Sequence, residues 1–475
     1  MQQKLCVLEV NEVPPPVWQL YARKNPSSSI ARILAGGKTF TTVADDVDVD
    51  SLYPSQTWAS LNTGLPYSKH KIHWYNDPKP NLEFFWWHEA ALAGRSVGLV
   101  NVLHTSPLDS LTSKGNYSFV LPDCFAPDDS TLPSHFQKFQ KLNLLLTKGS
   151  GRRASLHTST LASLTGQAML NPGSFGVSAF TLSQCARALP GIMQSPERLR
   201  NLQFPPLATI FMNMLKKCDP DVAVFFTNHV AAAQHRYWYA LFPGDYAEEL
   251  YPKSWVEKYE TDILQAMDML DRYLKKLTAF CVDSNRILVV ASSMGQHANK
   301  KLTRASIKNK DWDFRIDTPE RLMSLVLGES TVGRFEGAMI PQYTFSFQSI
   351  EAAALASMRL REWIQENDCL EGGVDTLENK VTLTLKVIKR TRELLLRGKA
   401  VQLSALGIVE LEIDDHHSGR HQPIGTLLVW NDCQDLLFPS TSTPVQFSYL
   451  EYAAQLRTYL GLTGQEMPNK VIPLH

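Results

Sequence analysis

The chain has no excess charge of either sign, no CxxC pair and no long apolar run, and each absence removes a class of function. Lysine plus arginine and aspartate plus glutamate each number 47 in 475 residues. Without a global field, the composition argues against a nucleic-acid binder, while a local basic pocket for phosphate stays open. No stretch approaches the roughly eighteen uninterrupted apolar residues that a membrane-spanning helix needs. Met1 to Lys4 run straight into an apolar strand, with no basic-apolar-small leader. The seven cysteines (Cys6, Cys124, Cys185, Cys218, Cys281, Cys369, Cys433) are dispersed and odd in number. Such a set reads as free thiols in a reducing compartment, so the expected location is cytoplasmic.

What is present is a series of short apolar runs alternating with helical patterns. Lys4 to Val10, Arg95 to Val102, Asp221 to Phe226, Arg286 to Ala291 and Thr426 to Trp430 read as buried strands. Between Trp255 and Phe280, apolar residues recur every three or four positions (Tyr259, Ile263, Met267, Leu270, Leu274, Leu277), which predicts one long amphipathic helix. Strands apolar on both faces and separated by helices imply an α/β fold, with a mostly parallel central sheet covered by helices on both sides. The expected core is 1–129 with 205–299 and 411–475. Residues 130–204, Ser/Thr-rich and broken at Gly149 to Arg153, read as a helical insertion. Residues 300–410 read as an α+β cap, with a helix over Ile350 to Asn367, a strand near Val381 to Val387 and a helix over about Ile388 to Arg397.

In parallel sheets, sites lie beyond the carboxyl ends of the strands. Asn11 and Glu12 follow the first strand, Asn228 and His229 the DVAVFF strand, and Ser292, Ser293 and Gln296 the RILVVA strand. These are expected to converge. Glu9 is unusual in an apolar strand; a buried carboxylate needs a partner, either the site itself or an arginine.

The segment Tyr53-Pro54-Ser55-Gln56-Thr57-Trp58-Ala59-Ser60-Leu61-Asn62-Thr63-Gly64-Leu65, with His70 shortly after, resembles the nucleophile turn of the alkaline phosphatase superfamily, in its phosphodiesterase/nucleotide pyrophosphatase branch. Ala93 to Asn101, Pro122 to Ala126 and Tyr459 to Pro468 are similar to further family segments in the same order. The resemblance covers about half of the chain and leaves both insertions unmatched. It implies an alkaline phosphatase-like fold, with Thr57 as the attacking hydroxyl at a helix start. Read without it, Thr57 is an ordinary helix-capping hydroxyl.

The resemblance also implies two metals, and here the chain departs from the pattern. His235 stands at the histidine of an Asp-x-x-x-His pair whose aspartate position is Ala231. His421, in His421-Gln422-Pro423-Ile424-Gly425, matches a distant histidine. Asn11 occupies the first aspartate position, and Ser293-Met294 replace an Asp-His pair. Neutral groups there would hold a divalent ion far more weakly. A remodelled single site from His229, His235, His421 and Glu9 or Glu12, with His416 and His417 nearby, is the chemistry left for zinc or manganese; a metal-free site is the alternative.

The function expected is therefore a hydrolase or transferase acting on a small phosphate ester, such as a nucleotide-linked sugar or a phosphorylated glycan precursor. Thr57, His235, Glu9 and Glu12 are its candidate catalytic residues. Asn11, Gln56, Asn228, Ser292, Ser293 and Gln296 are its candidate substrate contacts, and His235, His421, His229 and His417 its candidate metal ligands. A metal-independent glycosyl or acyl transferase on the same fold, and a non-catalytic ligand-binding member, stay open beside it.

Overall fold

The structure, a computed structural model, describes residues 3–75, 77, 79, 82–148, 170–194, 196–308, 312–328, 333–337, 342–412, 416–438 and 446–462. Its centre is an eight-stranded sheet: β1 (Lys4–Val10), β2 (Lys38–Val43), β3 (Val97–Val100), β4 (Tyr117–Leu121), β5 (Val222–Thr227), β6 (Arg286–Ala291), β17 (Ile424–Trp430) and β18 (Gln446–Ser448). The order is β18-β2-β17-β6-β1-β5-β3-β4, and only β17 runs antiparallel to its neighbours. The fold class is the one expected. The strands read from the sequence are all there: Lys4–Val10 and Arg286–Ala291 have the expected ends, and the other ends are displaced by at most two residues.

Alternation along β1 explains the layers. Cys6, Leu8 and Val10 face one apolar core, built with the helices Pro15–Lys24, Ser29–Gly36, Phe204–Cys218 and Asp262–Asp283. Leu5 and Val7 face a second, beneath the helices Pro54–Thr63, Trp86–Leu92 and Glu451–Leu460. Each side chain fully buried in these layers contributes about 1.5–3 kcal/mol. The helix Pro54–Thr63 is buried along its whole length, which is why it shows little amphipathic pattern. Pro54 opens it, and Gly64 closes it in the left-handed region (φ 67°).

A second body of structure lies between residues 312 and 412. β8 (Trp312–Ile316) pairs with β15 (Ile408–Glu412), and β9 (Arg334–Gly337), β10 (Gln342–Ser346), β11 (Leu370–Leu377) and β12 (Lys380–Val387) form an antiparallel sheet. The helix Ile350–Glu366 packs on this sheet, and Phe345, Leu360, Trp363 and Leu383 share its separate core. The helix expected over Ile388 to Arg397 is instead a hairpin of β13 (Glu393–Leu396) and β14 (Lys399–Gln402). Arg397 and Gly398 both take positive φ, the turn that two-residue hairpins favour. The long helix expected from Trp255 is two, Lys253–Tyr259 and Asp262–Asp283. Gly149 to Arg153 and most of Tyr459 to Pro468 lie outside the described residues.

All seven cysteines are free. Among the described residues, no helix is long and apolar enough to cross a membrane.

Candidate active site

At the end of β1 the chain turns sharply. Glu12 takes a left-handed backbone (φ 58°), which costs a non-glycine residue on the order of 1 kcal/mol or more. The turn lays the Glu12 carboxylate, 2% exposed, across the carboxyl end of the sheet. Two histidines meet it there. His235 Nε2 lies 2.9 Å and His421 Nε2 3.3 Å from Glu12 Oε2.

Different elements deliver the two rings. His235 projects from the helix His229–Leu241, which starts directly after β5. His421 sits on β16 (Gly419–Gln422), which pairs with β7 (Gly295–Ala298) so that His421 and Gln296 stand opposite each other. This ribbon can lie against the His235 helix because residue 419 is glycine: a Cβ there would fall 2.4 Å from the Gln234 carbonyl oxygen. The His421 Nδ1–H donates to the Leu52 carbonyl (2.7 Å), leaving Nε2 to face Glu12.

Amides complete the shell. Asn11 donates to Glu12 Oε1 (2.7 Å), Gln296 donates to Oε2, and Gln234 holds the Glu12 carbonyl (3.0 Å). Asn11 is fixed in turn by the Trp58 indole N–H (2.8 Å) and by the exposed Asn228, whose Oδ1 accepts from it (2.8 Å). Burial alone would raise the Glu12 pKa, but His421 and His235 hold it well below the carboxylate range. Burial likewise opposes charging of His421, and the Glu12 carboxylate overcomes it, raising that imidazole.

The donor set fits a divalent cation. The three ligand atoms lie within 4.8 Å of one another, and two imidazoles with one carboxylate leave an open position. The carbonyl-anchored Nδ1 of His421 is the arrangement usual behind a metal-bound histidine. Thr57 stands to one side. Its Oγ1 lies 2.9 Å from Ser293 Oγ, at the end of β6, and both side chains are fully buried.

No protein-family model matches the chain, and no curated protein matches it. Among solved structures it is similar to phosphonoacetate hydrolase from Sinorhizobium meliloti 1021 (13% identity, covering 97% of this chain and 96% of that one, TM-score 0.41). It is also similar to human ectonucleotide pyrophosphatase/phosphodiesterase 5 (10%, 98% and 96%, 0.39) and to Thermus thermophilus alkaline phosphatase (12%, 98% and 93%, 0.38). The mostly parallel sheet with helices on both faces is what the alternation of apolar runs and helical patterns anticipates.

Within this fold the expected site residues separate into two groups. Glu12, Asn11, His235, His421, Gln296 and Asn228 come together, and Thr57 and Ser293 form an adjacent pair. Ser292 donates to the Val10 carbonyl (2.6 Å), tying the two strand ends together. Gln56, beside Thr57, is buried, and its Oε1 has no partner among the described residues. The His417 ring centroid is 5.9 Å from that of His235, on an exposed residue. The His416 backbone N–H donates to the Tyr251 hydroxyl.

Glu9 and His229 lie elsewhere. Glu9 shares its strand face with Leu5 and Val7, under the helix Pro54–Thr63, and Asn62 donates to it (2.8 Å). Its partner is this amide, not an arginine, and burial pushes its pKa up to about 8. His229 turns into the opposite core: Nδ1 meets Thr227 Oγ1 (2.8 Å), and Nε2 donates to the Ala266 carbonyl (3.2 Å). Its ring stacks on Phe204, and burial lowers its pKa to about 3. The supporting roles of Trp58 and Gln234 carry no sequence signal, since each contact depends on strand ends far apart in the chain.

Proposed function

We propose that the protein is a hydrolase or transferase of phosphate esters whose reacting group binds one divalent cation held by Glu12, His235 and His421. The observation that carries this reading is the approach of two imidazole nitrogens to one buried carboxylate oxygen, at 2.9 and 3.3 Å. A cation bound there would polarise a phosphoryl oxygen and stabilise the charge that develops on it. Asn11 and Gln296 orient the Glu12 carboxylate, and Leu52 keeps the His421 Nε2 lone pair directed inward. Thr57, in the first turn of its helix, is the hydroxyl assigned to attack phosphorus; the helix start favours the anionic transition state. Its substrate class is a small ester such as a nucleotide-linked sugar or a phosphorylated glycan precursor.

Elemental analysis of the purified protein, run beside turnover of bis-p-nitrophenyl phosphate, tests the reading. About one zinc or manganese per chain, with activity lost on chelation and restored by the metal, is the expected result. Protein that stays metal-free in excess zinc and manganese would remove it.

A second reading is favoured by the amides. Asn11 and Gln296 already donate to both Glu12 oxygens, which suits a metal-independent transferase in which Glu12 and His235 exchange protons. Full activity after exhaustive chelation would select it over the first.

A further inference from the structure

The chain is neutral overall, yet one exposed stretch beside the site carries charge of a single sign. From Ser284 to Lys310 the sequence has no Asp or Glu. Within that stretch Lys300, Lys301, Arg304 and Lys308 are all exposed. Arg304 and Lys308, four residues apart, share one face of the short helix Arg304–Lys308. The apolar side chains turn inward, where Leu302 and Ile307 pack against Tyr239, Leu250 and Tyr251. Asp50 is shared between Lys301 (3.6 Å) and Arg420, and Glu248 accepts the Arg304 backbone N–H (3.0 Å). Among the described residues, Lys300, Arg304 and Lys308 have no ion pair.

Printed contacts join this surface to the Glu12 site. Asn299 follows β7; its backbone N–H donates to the Ser418 carbonyl (2.7 Å) and its side-chain amide to the His417 carbonyl (3.2 Å). The exposed His417 ring lies 5.9 Å from that of His235, which meets Glu12. Gln296, bonded to Glu12, precedes Lys300 by four residues, at most about 14 Å of extended chain. The composition of the surface selects among anionic partners. With Leu302 and Ile307 turned inward, it has no apolar face to lay into a membrane. Residues 299–308 contain no aromatic side chain, so the bases of a single strand find no stacking platform there. Cations interspersed with the exposed hydroxyls of Thr303 and Ser306 suit a chain of charged sugars.

We propose that the segment from Asn299 to Lys308 is a docking surface for a linear anionic glycan, the chain that carries the phosphate ester cleaved at the Glu12 site. The charged sugars lie along Lys301, Arg304 and Lys308, and the chain enters the site past His417. The patch supplies locally the field that the composition as a whole lacks. The surface rests on the phosphate-ester reading for the reaction at its inner end and narrows the substrate class of that reading.

The test is binding of a fluorescein-labelled heparin dodecasaccharide, read by anisotropy, to the wild type and to the triple variant Lys301→Ser, Arg304→Ser, Lys308→Ser. Wild-type affinity should fall about tenfold or more between roughly 50 and 200 mM salt, and the variant should bind about tenfold or more weakly at the lower salt. The fragment should also inhibit wild-type turnover of bis-p-nitrophenyl phosphate, because it runs across the mouth of the site. No binding, binding that the variant retains, or binding without inhibition overturns the docking surface. A labelled oligothymidylate, or phosphatidylserine vesicles, bound as tightly and lost equally in the variant would overturn the glycan assignment. If bis-p-nitrophenyl phosphate is not turned over at all, the phosphate-ester reading falls instead, and anisotropy decides the surface by itself. The salt dependence and the inhibition of the wild type decide the matter should the variant not fold.

Discussion

Thr57 Oγ1 and Ser293 Oγ lie 2.9 Å apart in a part of the protein closed to solvent. Where the family resemblance places a metal-binding carboxylate, this chain has a hydroxyl that bonds the assigned nucleophile directly. Ser293→Ala would leave the Thr57 hydroxyl buried without its partner, a cost of about 1–2 kcal/mol readable as a lower Tm. Thr57→Ala should abolish phosphodiester turnover, while Thr57→Ser keeps a measurable part. Wild-type rates in Thr57→Ala would end its assignment as nucleophile.

Glu12 joins the two histidines, so Glu12→Gln is expected to act on both at once. The neutral amide is a poor ligand for a divalent ion. Metal content should fall from about one ion per chain to near zero, and turnover by about a hundredfold or more. Elemental analysis and steady-state kinetics on the same preparation check both.

Asn11→Asp would restore a carboxylate at the first aspartate position of the resemblance, but 2.7 Å from Glu12 Oε1, where the amide now donates. A hydrogen bond becomes a repulsion between like charges. The metal-free variant is expected to lose on the order of 1–3 kcal/mol of stability at neutral pH. Added zinc or manganese should raise its Tm more than that of the wild type, and thermal melts with and without metal would read both effects.

Glu9 gives a pH dependence with a defined sign. Its folded pKa of about 8 exceeds the ordinary 4.5, so the folded chain holds this proton where the unfolded chain has released it. The associated stability is full below about 4.5 and is lost as the pH rises through about 8. Glu9→Gln keeps the shape and the bond to Asn62 without the titration. The wild type should lose on the order of several degrees of Tm between pH 6 and pH 9, and the variant much less. Parallel curves for the two proteins would show that Glu9 is not the titrating group.

His229→Phe separates the buried histidine from those in the site. It strands the Ala266 carbonyl and the Thr227 hydroxyl, costing about 1–3 kcal/mol. Metal content should stay unchanged. Metal loss in a folded His229→Phe protein would contradict its placement in the core.

Local signals in the sequence determined much of this protein. Apolar runs of strand length fixed the buried strands, because only a sheet covered on both faces accommodates them. The motif around Thr57 pointed to this end of the sheet, and Asn11, Ala231 and Ser293 depart from the two-metal ligand set that the resemblance implies. Tertiary structure decided what replaced it. Glu9 and Glu12 were both candidates, and His229 stood beside His235, which the motif favoured. Strand parity turned Glu9 into an apolar layer, and a left-handed backbone at Glu12 turned that carboxylate toward the site. The first turn of the helix after β5 sent His229 into the opposite core, while the next brought His235 to Glu12. These choices depend on chain segments hundreds of residues apart packing against one another, and local periodicity does not encode that information.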